Sequence, residues 1–190
     1  MTSIEPKQRI IIGITGASGI QYGIRLLELL RPLPIETHLI VTKAAHQVRQ
    51  YEVDMSADEL SKLADRHHHI HDVGCSIASG SYTTLGMIVA PCSMHTLAEI
   101  AHGFGGNALT RAADVILKER RKLVLMVRES PLNAAHLENM LKITQMGGII
   151  APPVPAFYNK PLSLDDLINH SVGRVLDLFN IDVNVVTRWK

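Results

Sequence analysis

The chain has 190 residues, 46% hydrophobic and 19% charged, with a formal net charge of +1 at pH 7. That composition sustains one buried core and is not that of a disordered chain. The near-neutral balance argues against a general nucleic-acid or acidic-membrane binder, which carries a clear basic excess. Two cysteines, Cys75 and Cys92, lie far from any CxxC spacing; they suit a reducing compartment and give no support for a disulfide framework or a zinc site.

The chain begins with residues 1–8, expected to be flexible. The apolar stretch that follows is interrupted by Gly13, Gly16 and Gly19, so it is too short and too glycine-rich for a signal peptide or a membrane span. The expected location is the cytoplasm. Arg9 to Thr15 reads as a buried parallel strand, a β-branched run that ends in glycines. Ile20, Ile24, Leu27 and Leu30 share one side of a helix, and Glu36 to Val41 is a second strand. Helical stretches follow near 44–51 and 57–65. Further buried strands are predicted at 86–90 and 123–127, with helical segments near 96–101 and 109–121 between them. Asn133 caps a helix running to about Gln145, and 148–151 forms a short strand. Prolines 152, 153, 155 and 161 make 151–162 irregular, since proline cannot join a sheet interior. Residues 151–162 and 181–190 are read as irregular, serving as a cover for a site or as oligomer contacts. Ser163 and Asp166 form a capping box ahead of a last helix. Alternating helices and apolar strands predict a single α/β domain, a doubly wound Rossmann- or flavodoxin-like parallel sheet over residues 1–190.

Gly13-Ile-Thr-Gly16-Ala-Ser-Gly19 joins the first strand to the first helix. Glycines permit close backbone approach, and a helix N-terminus offers free N–H groups to a phosphate. The same turn also suits simple strand–helix packing. The second strand separates the nucleotide classes. A dinucleotide unit ends it with an acidic residue for the ribose; this one ends in Val41-Thr42-Lys43. A mononucleotide such as FMN fits better than NAD. Ser18 serves the helix start as readily as chemistry. Ala90-Pro-Cys-Ser93-Met94-His95-Thr96 forms a second strand-to-helix turn, in which Ser93 is also a fair N-cap.

Arg111 with Asp114 is an i,i+3 pair, and Lys118-Glu-Arg120-Arg121 closes the same helix. Arg120 and Arg121 are expected to be ordinary surface or interface charges. Arg128-Glu129 is more informative, because a charged pair at the carboxyl end of a buried strand needs a partner or ligand. Arg128, Tyr158 and Arg174 are residue types that suit a phosphate. No DDxxD array is present, so a prenyl phosphate ionised here would rely on Lys and Arg. His67, His68, His69 and His71 resemble metal ligands, but three consecutive residues cannot face one ion from a regular element. A solvated loop is the expectation. Trp189 is assigned to packing, oligomer contact or a lid, and Cys92 to a small buried hydrophobe.

GITGASG, SGSYTTLGMIVAPCSMHTLAEIAHG, RAADVILKERRKLVLMVRESPL, HLENML, PAFYNKP and the terminal RW together resemble the UbiX-type flavin prenyltransferases, over about residues 9–189. The related phosphopantothenoylcysteine decarboxylases carry an ASANT-like turn where this chain has PCSMHT. The resemblance implies transfer of a dimethylallyl group from dimethylallyl monophosphate to N5 and C6 of reduced FMN, without a metal. The prenylated FMN then serves UbiD-type decarboxylases. By position, Gly16, Ala17, Ser18, Thr42, Ser93, Met94, His95, Thr96 and Arg128 would hold FMN. Gly80, Arg111, Lys118, Arg128, Tyr158 and Arg174 would hold the donor phosphate, with Ser79 and Ser81 beside it. Ser18, Glu52, Lys118, Glu129 and Tyr158 would be catalytic, Glu52 as a proton carrier. The family pattern also implies a homo-oligomer, a dodecamer, with sites shared between copies. The alternatives are an FMN-dependent cysteine-type decarboxylase and a non-catalytic flavin-binding subunit.

Overall fold

The computed structural model describes residues 8–186 and 188. Strand β1 (Gln8–Ile14) leads to α1 (Ile20–Leu30), β2 (Ile35–Val41), α2 (Lys43–Glu52), α3 (Ala57–Ser61) and β3 (Arg66–His68). After a 3-10 turn at Ser76–Ala78 come β4 (Gly86–Cys92), α4 (Met94–Ala101), α5 (Ala108–Lys118) and β5 (Lys122–Val127). The chain then forms α6 (Ala134–Gln145), β6 (Ile149–Ile150), a 3-10 turn at Phe157–Asn159 and α7 (Leu164–Asp177). All six strands run parallel in the order β3-β2-β1-β4-β5-β6. The expected doubly wound sheet is therefore present.

The strand alternation divides the core. Ile10, Ile12 and Ile14 face the layer holding α1 and α7, including Leu26, Leu27, Val172 and Leu176. Ile11, with Met87 and Val89, faces α5 through Leu109, Ala112 and Ile116. Each such side chain removed from water contributes about 1.5–3 kcal/mol, which is why these apolar runs set the layer order. Strand order reverses between β1 and β4, so the crevice beyond their carboxyl ends is where an open α/β sheet takes a ligand. Among the described residues no helix is long and apolar enough to cross a membrane.

Two local expectations change. The helix read at 57–65 ends at Ser61, and the histidine run is not a solvated loop throughout. Arg66–His68 pairs with His38–Ile40 as an edge strand. Its register is set by polar side chains from the neighbouring strand. His38 Nδ1 lies 2.8 Å from His68 Nε2, and Arg66 donates to Glu36 at 3.0 Å. Residues 151–162 contain no strand, as expected, and the Ser163–Asp166 capping box is formed. Of the stretch 1–8, Gln8 opens β1 and the rest lies outside the described residues, as does Trp189.

Candidate active site at the carboxyl edge of the sheet

A cavity of about 710 Å³ opens beyond β1, beside the α1 N-terminus. Ser18, Gln21, Glu52, Arg128, Asp165 and Ser171 supply its polar groups, while Tyr22, Pro153, Pro155, Leu164 and Ile168 wall it with apolar surface. Its size suits a cofactor-sized ligand, and a few polar groups on apolar walls are what fixes such a ligand's orientation.

The α1 N-terminus is built from two distant segments. Gly19 takes φ +102°, a conformation open to glycine, and offers α1 no side-chain cap. The missing acceptor comes from the end of α2: Glu52 Oε2 accepts from the amides of Gly19 (2.8 Å) and Ile20 (3.1 Å). The glycine turn was expected to offer its amides to a phosphate; two of them are engaged by this carboxylate instead. Ser18 does not cap the helix and is exposed, lining the cavity. Gly16 has a packing role, since a Cβ there would run into Ala44 of α2.

The second turn is tied to the first through Thr15. Its hydroxyl donates to the Pro91 carbonyl at 2.7 Å and accepts from the Ser93 amide at 2.8 Å. Ser93 caps α4 by accepting from the Thr96 amide, leaving the amides of Met94 and His95 without an intrahelical acceptor. Thr42 caps α2 through the Ala45 amide. Both hydroxyls therefore have helix-starting roles whatever else they touch. Arg128 follows β5 directly and sits close enough to Tyr22 to oppose the upward push that burial gives the Tyr22 phenol. Glu129 is exposed and accepts from the Ser130 amide. Cys92 is fully buried and its thiol is raised far above the usual range by burial, as an inert hydrophobe should be.

The remaining expected residues lie elsewhere. Lys118 ends α5 just before β5 begins, and Gly80 precedes β4, so both sit at the amino edge of the sheet. Six residues of β5 separate that edge from Arg128, about 20 Å at the usual rise. Lys118 pairs with Glu119 across Gly80. Arg111 pairs with Asp114 at 2.7 Å, as expected. Tyr158, half exposed, and Arg174 do not line the cavity. Tyr158 Oη lies 3.3 Å from His170 Nε2, and Arg174 holds Asp177 at 2.7 Å. One chain thus brings Ser18, Glu52 and Arg128 together and leaves Lys118, Tyr158 and Arg174 facing outward. Among the described residues no group of three or more His, Cys, Asp or Glu is placed to hold a metal ion.

Sequence reading missed Arg121. Far from an ordinary surface charge, it donates to the carbonyls of Tyr82 (2.8 Å) and Gly80 (2.6 Å). The signal for the network behind it was present in β2. Glu36, Thr37 and His38 are three consecutive polar residues in a strand buried along its whole length, and such groups must find partners inside.

A doubly wound parallel sheet with a switch-point cavity, whose second strand ends in Thr42-Lys43 rather than the acidic residue of a dinucleotide unit, defines a mononucleotide-binding architecture. The Flavoprotein family model matches residues 2–176. A flavin prenyltransferase UbiX from Neisseria meningitidis serogroup B is 58% identical over 183 residues, covering 96% of this chain and 97% of that protein. The crystal structure of AnUbiX in complex with FMN and dimethylallyl pyrophosphate superposes with a TM-score of 0.96 at 49% identity, covering 97% of this chain and 98% of that one. A dodecameric FMN-dependent UbiX-like decarboxylase from Escherichia coli O157:H7 gives 0.94 at 48% identity, covering 96% and 100%. The chain belongs to the UbiX flavin prenyltransferase family.

Proposed function

We propose that this chain is a flavin prenyltransferase that moves a dimethylallyl group from a dimethylallyl phosphate onto N5 and C6 of reduced FMN. The observation that carries the reading is the cavity itself. It sets the cation of Arg128 and the carboxylate of Glu52, which is held by the α1 amides, among largely apolar walls of cofactor size, in a chain 58% identical to a flavin prenyltransferase. Those walls fit a flat heteroaromatic ring, and the α4 amides with Ser93 fit a nearby anion.

Reduced FMN supplies the electron-rich N5 and C6 that accept the prenyl carbons. The protein's part is electrostatic and positional. Breaking the donor C–O bond separates an allylic cation from a phosphate, so fixed positive charge must meet the phosphate oxygen as it departs. Arg128 provides that charge within the cavity. Lys118 and Arg174 provide it from neighbouring copies of the chain, assembled as in the dodecameric relative, with the Tyr158 hydroxyl as a neutral hydrogen-bond donor to the phosphate. Tyr158 also offers its ring face to the cation. Ring closure at C6 needs a proton delivered to the prenyl double bond, which the retained phosphate can supply, and releases one from C6, for which Glu52, held by two amides, keeps a carboxylate oxygen in place.

The 190 residues act as one domain in the cytoplasm, supplying prenylated FMN to a UbiD-type decarboxylase in ubiquinone biosynthesis or aromatic-acid decarboxylation. Support for a dimethylallyl phosphate as donor comes from the dimethylallyl pyrophosphate bound in AnUbiX; dimethylallyl monophosphate is the donor that the family resemblance implies. A cysteine-type decarboxylase is disfavoured by the near-full-length identity to flavin prenyltransferases. The test is anaerobic incubation of the chain with FMN, a reductant and either donor, followed by mass spectrometry of the extracted flavin. A five-carbon addition is expected with the monophosphate. Unmodified FMN with both donors refutes the reading.

A further inference from the structure

The amino edge of the sheet carries a loop clamp. We propose that Arg121 is a positioning residue for the donor-phosphate half of the site, acting through the Gly80–Tyr82 loop; this rests on the prenyl-transfer reading above.

The geometry begins at the end of α5. Arg120 takes φ +57°, which turns the chain back so that Arg121 faces the loop ahead of β4. The guanidinium then donates one N–H to the Gly80 carbonyl at 2.6 Å and another to the Tyr82 carbonyl at 2.8 Å. A planar fork can hold two carbonyls spaced two residues apart in one fixed geometry; an ammonium, a point donor on a flexible stem, cannot.

The clamped backbone is the surface on which Lys118 rests. An added Cβ at Gly80 would lie 2.8 Å from Lys118 Nζ and would run into the Glu119 carboxylate. Lys118 therefore crosses the loop only because residue 80 lacks a side chain and its backbone stays put. The far end of the loop is anchored independently. The Tyr82 ring packs under the Arg9 guanidinium at 4.6 Å, and its hydroxyl lies 3.3 Å from His38 Nε2 and 3.5 Å from Glu36. With Tyr82 fixed to the sheet, Arg121 has one thing left to determine: the height of Gly80 under the Lys118 ammonium.

The experiment uses the full-length assembled protein with Arg121→Ala and Arg121→Lys, each checked for native circular dichroism. Hydrogen exchange of segment 79–85, read by mass spectrometry, is expected to quicken about tenfold in the alanine variant. KM for dimethylallyl monophosphate is expected to rise by about tenfold in both variants, with FMN affinity unchanged. Added guanidinium should restore KM in the alanine variant only. A merely stabilising arginine would lower the unfolding midpoint without moving KM, and that result overturns the proposal, as does unchanged exchange in the loop. If the wild-type chain forms no five-carbon adduct, the prenyl-transfer reading falls and the phosphate role of Arg121 falls with it, while the exchange measurement separately decides whether the clamp exists.

Discussion

Glu52, the last residue of α2, lies with its Oε2 2.8 Å from the amide nitrogen of Gly19, at the start of a helix 33 positions earlier in the chain. α1 has no acidic residue of its own in its first turn, so this carboxylate supplies both the missing cap and the charge that its dipole favours. Glu52→Gln keeps an oxygen that can accept from the amides and loses the charge and the proton-accepting capacity. Turnover is expected to fall by about 10²–10⁴-fold, the span attributed to general acid–base groups. FMN affinity should change little. Anaerobic product formation alongside flavin-fluorescence titration checks both halves, and unchanged turnover removes Glu52 from the chemistry.

Most of the fold was legible because its strands are apolar runs interrupted by glycine, and burial of such runs leaves few alternatives. What escaped was held by side chains that meet only in three dimensions. β3 consists of Arg66, His67 and His68 and has no apolar residue to announce it. Its place beside β2 follows from the contacts of Glu36 and His38. The Glu52–Gly19 contact has no local signature either, since nothing in the spacing of α2 says which helix it will cap. By contrast the separation of Lys118 from Arg128 was implicit in the order of elements: one ends a helix before a parallel strand, the other follows that strand.

The buried imidazole of His38 makes stability pH-dependent. Burial, then the neighbouring His68, pushes its pKa down to about 4 against the pull of Glu36. His68 is shifted the same way, chiefly by burial. His38 thus stays neutral in the fold down to about pH 4, whereas an unfolded chain protonates its histidines near pH 6.5. Stability is therefore complete above that pH, falls as the pH drops towards 4, and levels off below. His38 alone accounts for at most about 3 kcal/mol of the loss. Urea unfolding at pH 7 and pH 4.5 should show the fall, and His38→Gln should flatten it. An equal slope in that variant would assign the loss to other groups.

Gly16 is expected to respond as a packing residue. A methyl group there meets the Ala44 side chain, and relief requires α2 to move away from the glycine turn. Gly16→Ala should cost about 1–3 kcal/mol, as overpacking of a tight contact does. Because α2 carries Glu52 at its far end, the shift should also loosen the Glu52–Gly19 bond and slow turnover. Thermal denaturation reads the first effect. The companion variant Gly16→Ala/Ala44→Gly should recover stability, and failure to do so would place the strain elsewhere.

Lys118 and Glu52 stand at opposite edges of the sheet, and even an extended lysine does not span a gap of about 20 Å. If both act on one donor, the site must take them from different copies of the chain. Assemblies made from one variant should then be inactive, whether Glu52→Gln or Lys118→Ala. Co-assembly of the two should recover activity, because some interfaces pair an intact Glu52 with an intact Lys118. Random mixing in equal amounts makes roughly a quarter of the sites wholly native in a symmetric homo-oligomer. The check is co-expression with distinguishable tags, isolation of doubly tagged assemblies and measurement of prenylated FMN formed per chain. A recovery near that fraction supports the shared site. Mixed assemblies with no more activity than their parents would require Lys118 to act within its own chain or not at all.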